Sequence, residues 1–256
     1  MNDLLLERIP PIATVVLNRA EKRNAITHDM WQGLRRFAAE LAADAAVKVV
    51  LLRGAGDVAF SAGADIIEMQ QTVSDPERMK VVQQTVLDAQ ADWERLPMPT
   101  IALVRGACTG GGCGLALACD LRLATPDAFF AVPPARLGLA YSLADTKRLY
   151  TLVGPSRTKE ILFTARRIGA EEALRLGLIN EIVASEALED RAHALAREIA
   201  ANAPNSVRAA KTVVAMLGDG VHNETPESQR PYDESFASAE FAEGARAFIE
   251  KRPPRF

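Results

Sequence analysis

Val104-Arg-Gly-Ala-Cys-Thr-Gly-Gly-Gly-Cys-Gly-Leu-Ala-Leu-Ala-Cys-Asp120 decides how the rest of this chain is read. The apolar run 99–104 leads into Gly106, the glycines at 110–112 and 114 follow, and an Ala/Leu segment continues as a buried helix. The pattern is strand, glycine turn, helix N-terminus. Glycine turns the backbone at positive φ and lets another group come close. The first amides of a helix have no partners inside it and point outward, so such an end suits a phosphate or a developing oxyanion. Tight helix–strand packing would use the same glycines, and the stretch alone leaves both readings open. Two phosphate patterns are excluded. No Gly-Lys-Ser/Thr is present, and Leu117 stands where a dinucleotide fingerprint needs Gly or Ala.

A second turn of this kind lies upstream. Phe60-Ser-Ala-Gly-Ala-Asp65 follows the strand-like run 47–53 and also turns on a glycine into a helix. Two such turns can present two backbone N–H groups to one carbonyl oxygen.

Length and composition bound the rest. The 256 residues suffice for one large domain or a domain with a small appendage. Hydrophobic residues at 48% and charged residues at 25% are those of a soluble globular protein. A net charge of −3 speaks against a nucleic-acid surface. No apolar stretch of about 20 residues suggests a membrane span, and no basic-then-apolar leader is visible at the start, so the expected location is the cytoplasm. Cys108, Cys113 and Cys119 form no Cys-x-x-Cys pair, and His28, His193 and His222 are scattered. Small buried thiols fit this spacing better than a metal site, and none is expected.

Along the chain, segments 4–9 and 12–18 read as strands, and Thr27 caps a helix over 28–43 whose Trp31, Leu34, Phe37, Ala38 and Leu41 share a face. Strand 47–53, helix 76–96, strand 100–104, the glycine turn with its helix, and strands 121–124 and 129–132 follow. Strands alternating with helices predict an α/β core with right-handed crossovers. After residue 140 helices dominate: 145–153 and 156–164 with a break at Gly154-Pro155, then 170–176, 188–202, 205–217 and 225–251, with gaps at 218–220 and at Gly244.

The order of these motifs resembles the enoyl-CoA hydratase/isomerase (crotonase) superfamily over nearly the whole chain. The matching pieces are Leu17-Asn-Arg-Ala-Glu-Lys-Arg-Asn-Ala-Ile26, FSAGADI at 60–66, GGGC at 110–113, Phe129-Phe-Ala-Val-Pro133, Leu137-Gly138, Ala173-Leu-Arg-Leu-Gly-Leu-Ile-Asn180 and Phe248-Ile-Glu-Lys-Arg252. The resemblance implies a spiral of β-β-α turns over 1–200 and a C-terminal helical oligomerisation region over 201–256, in a homotrimer or a dimer of trimers. It implies an acyl-CoA thioester as substrate, coenzyme A entering only as part of that substrate, and no prosthetic group. Ala64 and Gly111 would be the two oxyanion-hole donors. Lys22, Arg23, Ala25, Ala62, Asp65 and Ile66 would contact the substrate, with Asp65 capping its helix rather than acting as a base. Phe248 and Lys251 would close over the CoA, often from a neighbouring subunit.

The chain departs from the family at its two hydratase glutamates. Gly114 follows GGGC and Pro134 follows Pro133 at those positions, and neither can move a proton. Tyr141 and Asp145 are the nearby substitutes, one as a hydrogen-bond donor and the other as a base. Each also has a structural reading, the tyrosine closing the pocket and the aspartate capping a helix. Restoring one carboxylate, as Gly114→Glu, is expected to give at best a partial gain in hydration. Three functions stay open: a hydratase/isomerase-type lyase or isomerase, a decarboxylase-like enzyme using Tyr141, and a non-catalytic CoA-binding subunit.

Overall fold

In the computed structural model, which describes residues 2–256, the chain winds β-β-α three times in succession. Strands β1 (Leu4–Ile9) and β2 (Ile12–Leu17) precede helix α1 (His28–Ala42). Strands β3 (Val49–Gly54) and β4 (Ala59–Ser61) precede α2 (Ile66–Thr72) and α3 (Pro76–Glu94). Strands β5 (Thr100–Val104) and β6 (Ala107–Thr109) precede α4 (Gly111–Leu117). A fourth strand pair, β7 (Leu121–Ala124) and β8 (Phe129–Ala131), leads into α5 (Leu143–Thr164). β1 and β2 pair antiparallel in one sheet, and from β3 onward each turn of the spiral adds its first strand to that sheet and its second to another. The large sheet has the order β1-β2-β3-β5-β7-β10 and the small one β4-β6-β8-β9, where β9 is Arg167–Gly169 and β10 is Glu181–Ile182. Within each sheet the strands contributed by successive turns pair in parallel.

The near-continuous apolar strands follow from this arrangement, because a parallel sheet covered on both faces must bury both sides of every strand. In β3, Val50 and Leu52 join a core with α1, α3, α4 and the small sheet's Phe60 and Phe130. Val49 and Leu51 face the other way, onto Leu188, Ala192 and Ala196 of α7 (Leu188–Ala200). Thr27 caps α1 as expected, its Oγ1 accepting from Met30 N at 3.2 Å. The three thiols are free and buried. Burial pushes Cys108 well above its ordinary range and Cys119 up to about 12, so both stay protonated.

Several boundaries differ from the sequence expectation. The strands β4, β6, β9 and β10 have two or three residues each, too short for a period-2 pattern to show. The expected break at Gly154-Pro155 does occur: Gly154 leaves the helical region at φ 75°, ψ 172° and separates two helical segments within α5. At the C-terminus, Gly244 does not interrupt a helix. It lies within α10 (Ala239–Ile249), and the break falls earlier, between α9 (Pro226–Phe236) and Ser238, whose hydroxyl caps α10. Helix α8 (Pro204–Gly218) is tied to the core by Lys211, which donates to Asp120 Oδ2 at 2.7 Å and Met98 O at 3.1 Å. α6 (Ala170–Arg175) completes the helices. No helix among the described residues is long and apolar enough to cross a membrane.

Candidate active site

The two glycine turns meet. Gly63 has φ 94°, and a Cβ on it would lie 2.8 Å from the Thr109 carbonyl oxygen and 3.5 Å from the Gly111 nitrogen. Only glycine allows both the backbone angle and the approach. Thr109 Oγ1 donates to Ala62 O at 2.7 Å and fastens the turns together. A third segment runs alongside. Ile26 N donates to Gly63 O at 2.7 Å, Asp65 N to Ile26 O at 3.2 Å, and Ala62 N to Arg23 O at 2.9 Å. This bridge uses the residues on either side of Ala64 and leaves the Ala64 amide outside it. The Gly111 amide opens α4 and likewise lies outside the helix's internal bonds. Neither amide has an acceptor among the described residues.

The loop before α1 owes its shape to Asn24, a residue the sequence reading passed over. Asn24 is fully buried, sits at φ 53°, and donates through Nδ2 to Ala59 O at 2.7 Å and Ala55 O at 3.0 Å. It holds Ala25 at the site's edge and leaves Lys22 and Arg23 exposed. Asp65 caps α2, accepting from Ile67 N and Glu68 N, and pairs with Arg19 Nη1 at 2.9 Å. Burial by itself would raise its carboxyl, but the Arg19 and Glu68 hydrogen bonds overcome this and hold it below the usual range. Its side chain is thereby committed to structure. Ile66 projects from the first turn of α2, 73% exposed.

One turn along α4 from Gly111 lies Gly114. A Cβ on Gly114 would stand 2.4 Å from Gln90 Nε2 and 2.7 Å from Asp145 Oδ1. The ends of two side chains, one from α3 and one from α5, border that point too closely for a methyl group. Asp145 is buried, accepts from Ser142 Oγ at 2.8 Å through Oδ2, and takes Arg148 Nη1 at 3.1 Å through Oδ1. Ser142 in turn accepts from Asp145 N, so the helix cap is Ser142 and Asp145 answers it from the first turn. Burial pushes the Asp145 carboxyl above its ordinary value, with Ser142 and Arg148 pulling it partly back. Arg148 also holds Glu94 at 2.8 Å and Gln90 Oε1 at 3.1 Å. Tyr141 packs against the core with its hydroxyl buried and unpartnered. Burial, then the neighbouring Cys113 and Asp145, push the phenol well above its ordinary range, so it remains a donor. Pro134 opens a short 3₁₀ turn, Pro134–Leu137.

The structure therefore gathers Ala25, Ala62, Ala64, Asp65 and Gly111 at one place, with Gly114 and Asp145 one helical turn further in. It does not bring Phe248 and Lys251 there. They lie at the exposed end of α10, and no hydrogen bond or ion pair among the described residues joins them to the two turns. Gln90, Ser142 and Arg148 were missed in the sequence. Each reads as an ordinary polar residue on a helix, and only the packing of α3 and α5 against α4 puts them together.

A two-sheet spiral with paired amide turns at its helix starts defines a class of fold and site, and comparison with known proteins supplies the family. The model of the enoyl-CoA hydratase/isomerase family matches residues 8–256, and the chain belongs to that family. It is 34% identical over 255 residues to the short-chain-enoyl-CoA hydratase of Clostridium acetobutylicum, covering 98% of this chain and 96% of that one. An enoyl-CoA hydratase/isomerase family protein from Hyphomonas neptunium superposes with a TM-score of 0.96 at 42% identity, covering 99% and 97% of the two chains. A Magnetospirillum magneticum structure described as an enoyl-CoA hydratase/carnithine racemase gives 0.95 at 34% identity over 100% and 96%.

The crowding at Gly114 has a measurable consequence. Gly114→Ala should lower stability by about 1–3 kcal/mol, since overpacking a filled site forces its neighbours aside, and Gly114→Glu should cost at least as much rather than restore activity. Urea unfolding reads this directly, and a Gly114→Ala protein as stable as its parent would show that Gln90 and Asp145 do not occupy that space.

Proposed function

We propose that the chain binds an acyl-CoA thioester with its carbonyl oxygen between the Ala64 and Gly111 amides, and that these amides stabilise the enolate formed during enoyl-CoA hydration or isomerisation. The observation that carries this reading is the meeting of two turns, each with an amide free of any acceptor among the described residues. Membership of the family and the hydratase name of the Clostridium relative support it. An oxyanion donor of this kind contributes about 3–4 kcal/mol of transition-state stabilisation.

With Gly114 and Pro134 unable to transfer protons, Asp145 is the proton-transfer group in this reading. Each of its oxygens keeps a second lone pair beyond the Ser142 and Arg148 bonds, and its raised pKa brings it nearer to neutral-pH work. In hydration the carboxylate takes a proton from water as the water oxygen bonds C3. The π electrons move onto the thioester oxygen, and the proton then returns to C2. Tyr141, held neutral, supplies a hydrogen bond.

Lys22 and Arg23, both exposed, and Ile66, exposed on the first turn of α2, suit the phosphates and adenosine of CoA. We assign residues 201–256 to oligomerisation, in a homotrimer or a dimer of trimers. Support comes from the apolar surface of these helices: Val214, Leu217, Phe236, Phe241, Phe248 and Ile249 are exposed, more than a monomer ordinarily leaves bare. In such an assembly Phe248 and Lys251 would reach a neighbour's CoA.

Three measurements test this reading. Binding of a thioester such as hexadienoyl-CoA should lower its carbonyl stretching frequency in difference infrared spectra, and an unshifted band would remove the amide pair from the mechanism. Asp145→Asn should reduce kcat on crotonyl-CoA by about 10²–10⁴-fold with little change in KM, whereas an unaltered kcat would place the base elsewhere. Light scattering should report a trimer or hexamer, and a stable monomer at micromolar concentration would refute the assignment of the C-terminal helices.

A further inference from the structure

Gln90 is fully buried on α3. Its Oε1 accepts from Arg148 Nη1, and the same Nη1 donates to Asp145 Oδ1, each at 3.1 Å. The guanidinium therefore decides which way round the amide sits. Turning it over would set its NH₂ against the guanidinium, donor against donor. In the orientation observed, Nε2 points at Gly114 and has no hydrogen-bond partner. A buried donor left unmatched is costly, and native proteins nearly always provide a partner.

Nε2 does not face empty packing. It would lie 2.4 Å from a Cβ on Gly114, and Asp145 Oδ1 2.7 Å from the same point. An unpartnered donor and a carboxylate acceptor thus converge beside a residue with no side chain. Together they suit one oxygen atom, which accepts from the amide and, where it carries hydrogen, donates to the carboxylate. Gly114 is three residues beyond Gly111 on one face of α4. Three helical residues rise about 4.5 Å. This matches the span from a carbonyl oxygen held at the Gly111 amide to an oxygen at the third carbon of the same acyl chain.

We propose that Gln90 is a ligand-binding residue of this site, its Nε2 donating to an oxygen at C3 of the acyl group, with Asp145 on that oxygen's other side. The oxygen belongs either to the acyl group itself or to a water molecule delivered to that carbon. The inference rests on the acyl-CoA reading given above.

The test uses the full-length protein with two variants. Gln90→Glu keeps an acceptor for Arg148 and removes the donor, and Gln90→Met removes both. Calorimetry with acetoacetyl-CoA and butyryl-CoA compares acyl chains of equal length that differ in the C3 oxygen, and absorbance follows crotonyl-CoA hydration. If the acyl group carries the oxygen, the parent should bind acetoacetyl-CoA about tenfold more tightly than butyryl-CoA, and both variants should lose that preference. If water carries it, the parent should bind the two alike, and both variants should lose about tenfold in kcat at unchanged KM. A parent with neither the preference nor crotonyl-CoA turnover overturns the inference without recourse to variants. Variants that keep both parental values overturn it while the acyl-CoA reading stands. A parent that binds neither thioester overturns that reading as well.

Discussion

The Gly63 turn lies against the start of α4 at backbone contact distance, and the site depends on that contact. A Cβ at Gly63 would crowd the Thr109 carbonyl at 2.8 Å. The turns that carry Gly63 and Gly111 lie side by side because the spiral advances both of their strands in step. β4 and β6 are parallel neighbours in the small sheet; β4 ends at Ser61 and α2 begins at Ile66, while β6 ends at Thr109 and α4 begins at Gly111. Repeating one β-β-α unit thus places equivalent turns side by side. The Gly111 amide, at the start of α4, has no partner within its helix.

Behind this pair lies a cluster that burial makes expensive. Arg148 is nearly inaccessible and is matched by Asp145, Glu94 and the Gln90 oxygen. Removing any one partner of a buried charge leaves an uncompensated group, so the cluster is held as a unit. Its effect is to fix the Asp145 carboxyl and the Gln90 amide beside Gly114 without letting either choose another rotamer. Position 114 has no side chain of its own, and it is bordered by a carboxylate and an amide from two other helices.

A second buried cation shows that this chain uses arginine as a structural fastener elsewhere. Arg122 on β7 is 3% exposed and donates to the Cys119 carbonyl at 2.6 Å and the Leu178 carbonyl at 2.7 Å. It satisfies carbonyls at the end of α4 and joins that helix to the segment leading into β10. Burial lowers its pKa, with the groups around Cys119 and Asp120 opposing the fall. The far end of the helix that presents the Gly111 amide is therefore anchored as firmly as its start.

The sequence by itself determined the order of strands and helices, the two glycine turns, the Thr27 and Asp65 caps and the buried thiols. These depend on neighbours within a few residues, where periodicity, capping and steric freedom act. It also shows glycine at 114 and proline at 134, side chains that cannot move a proton. The short strands β4, β6, β9 and β10 escaped it, since pairing with neighbouring strands rather than local propensity makes them strands. So did the placing of the C-terminal break at Ser238 instead of Gly244, where a helix held by packing tolerates its glycine. Above all, only the tertiary structure decided what surrounds Gly114. Gln90 lies on α3, Asp145 and Arg148 on α5, and Gln90 and Arg148 are 58 residues apart in the chain. Their meeting is set by how α3 and α5 pack against α4, a contact that no local pattern of residues encodes.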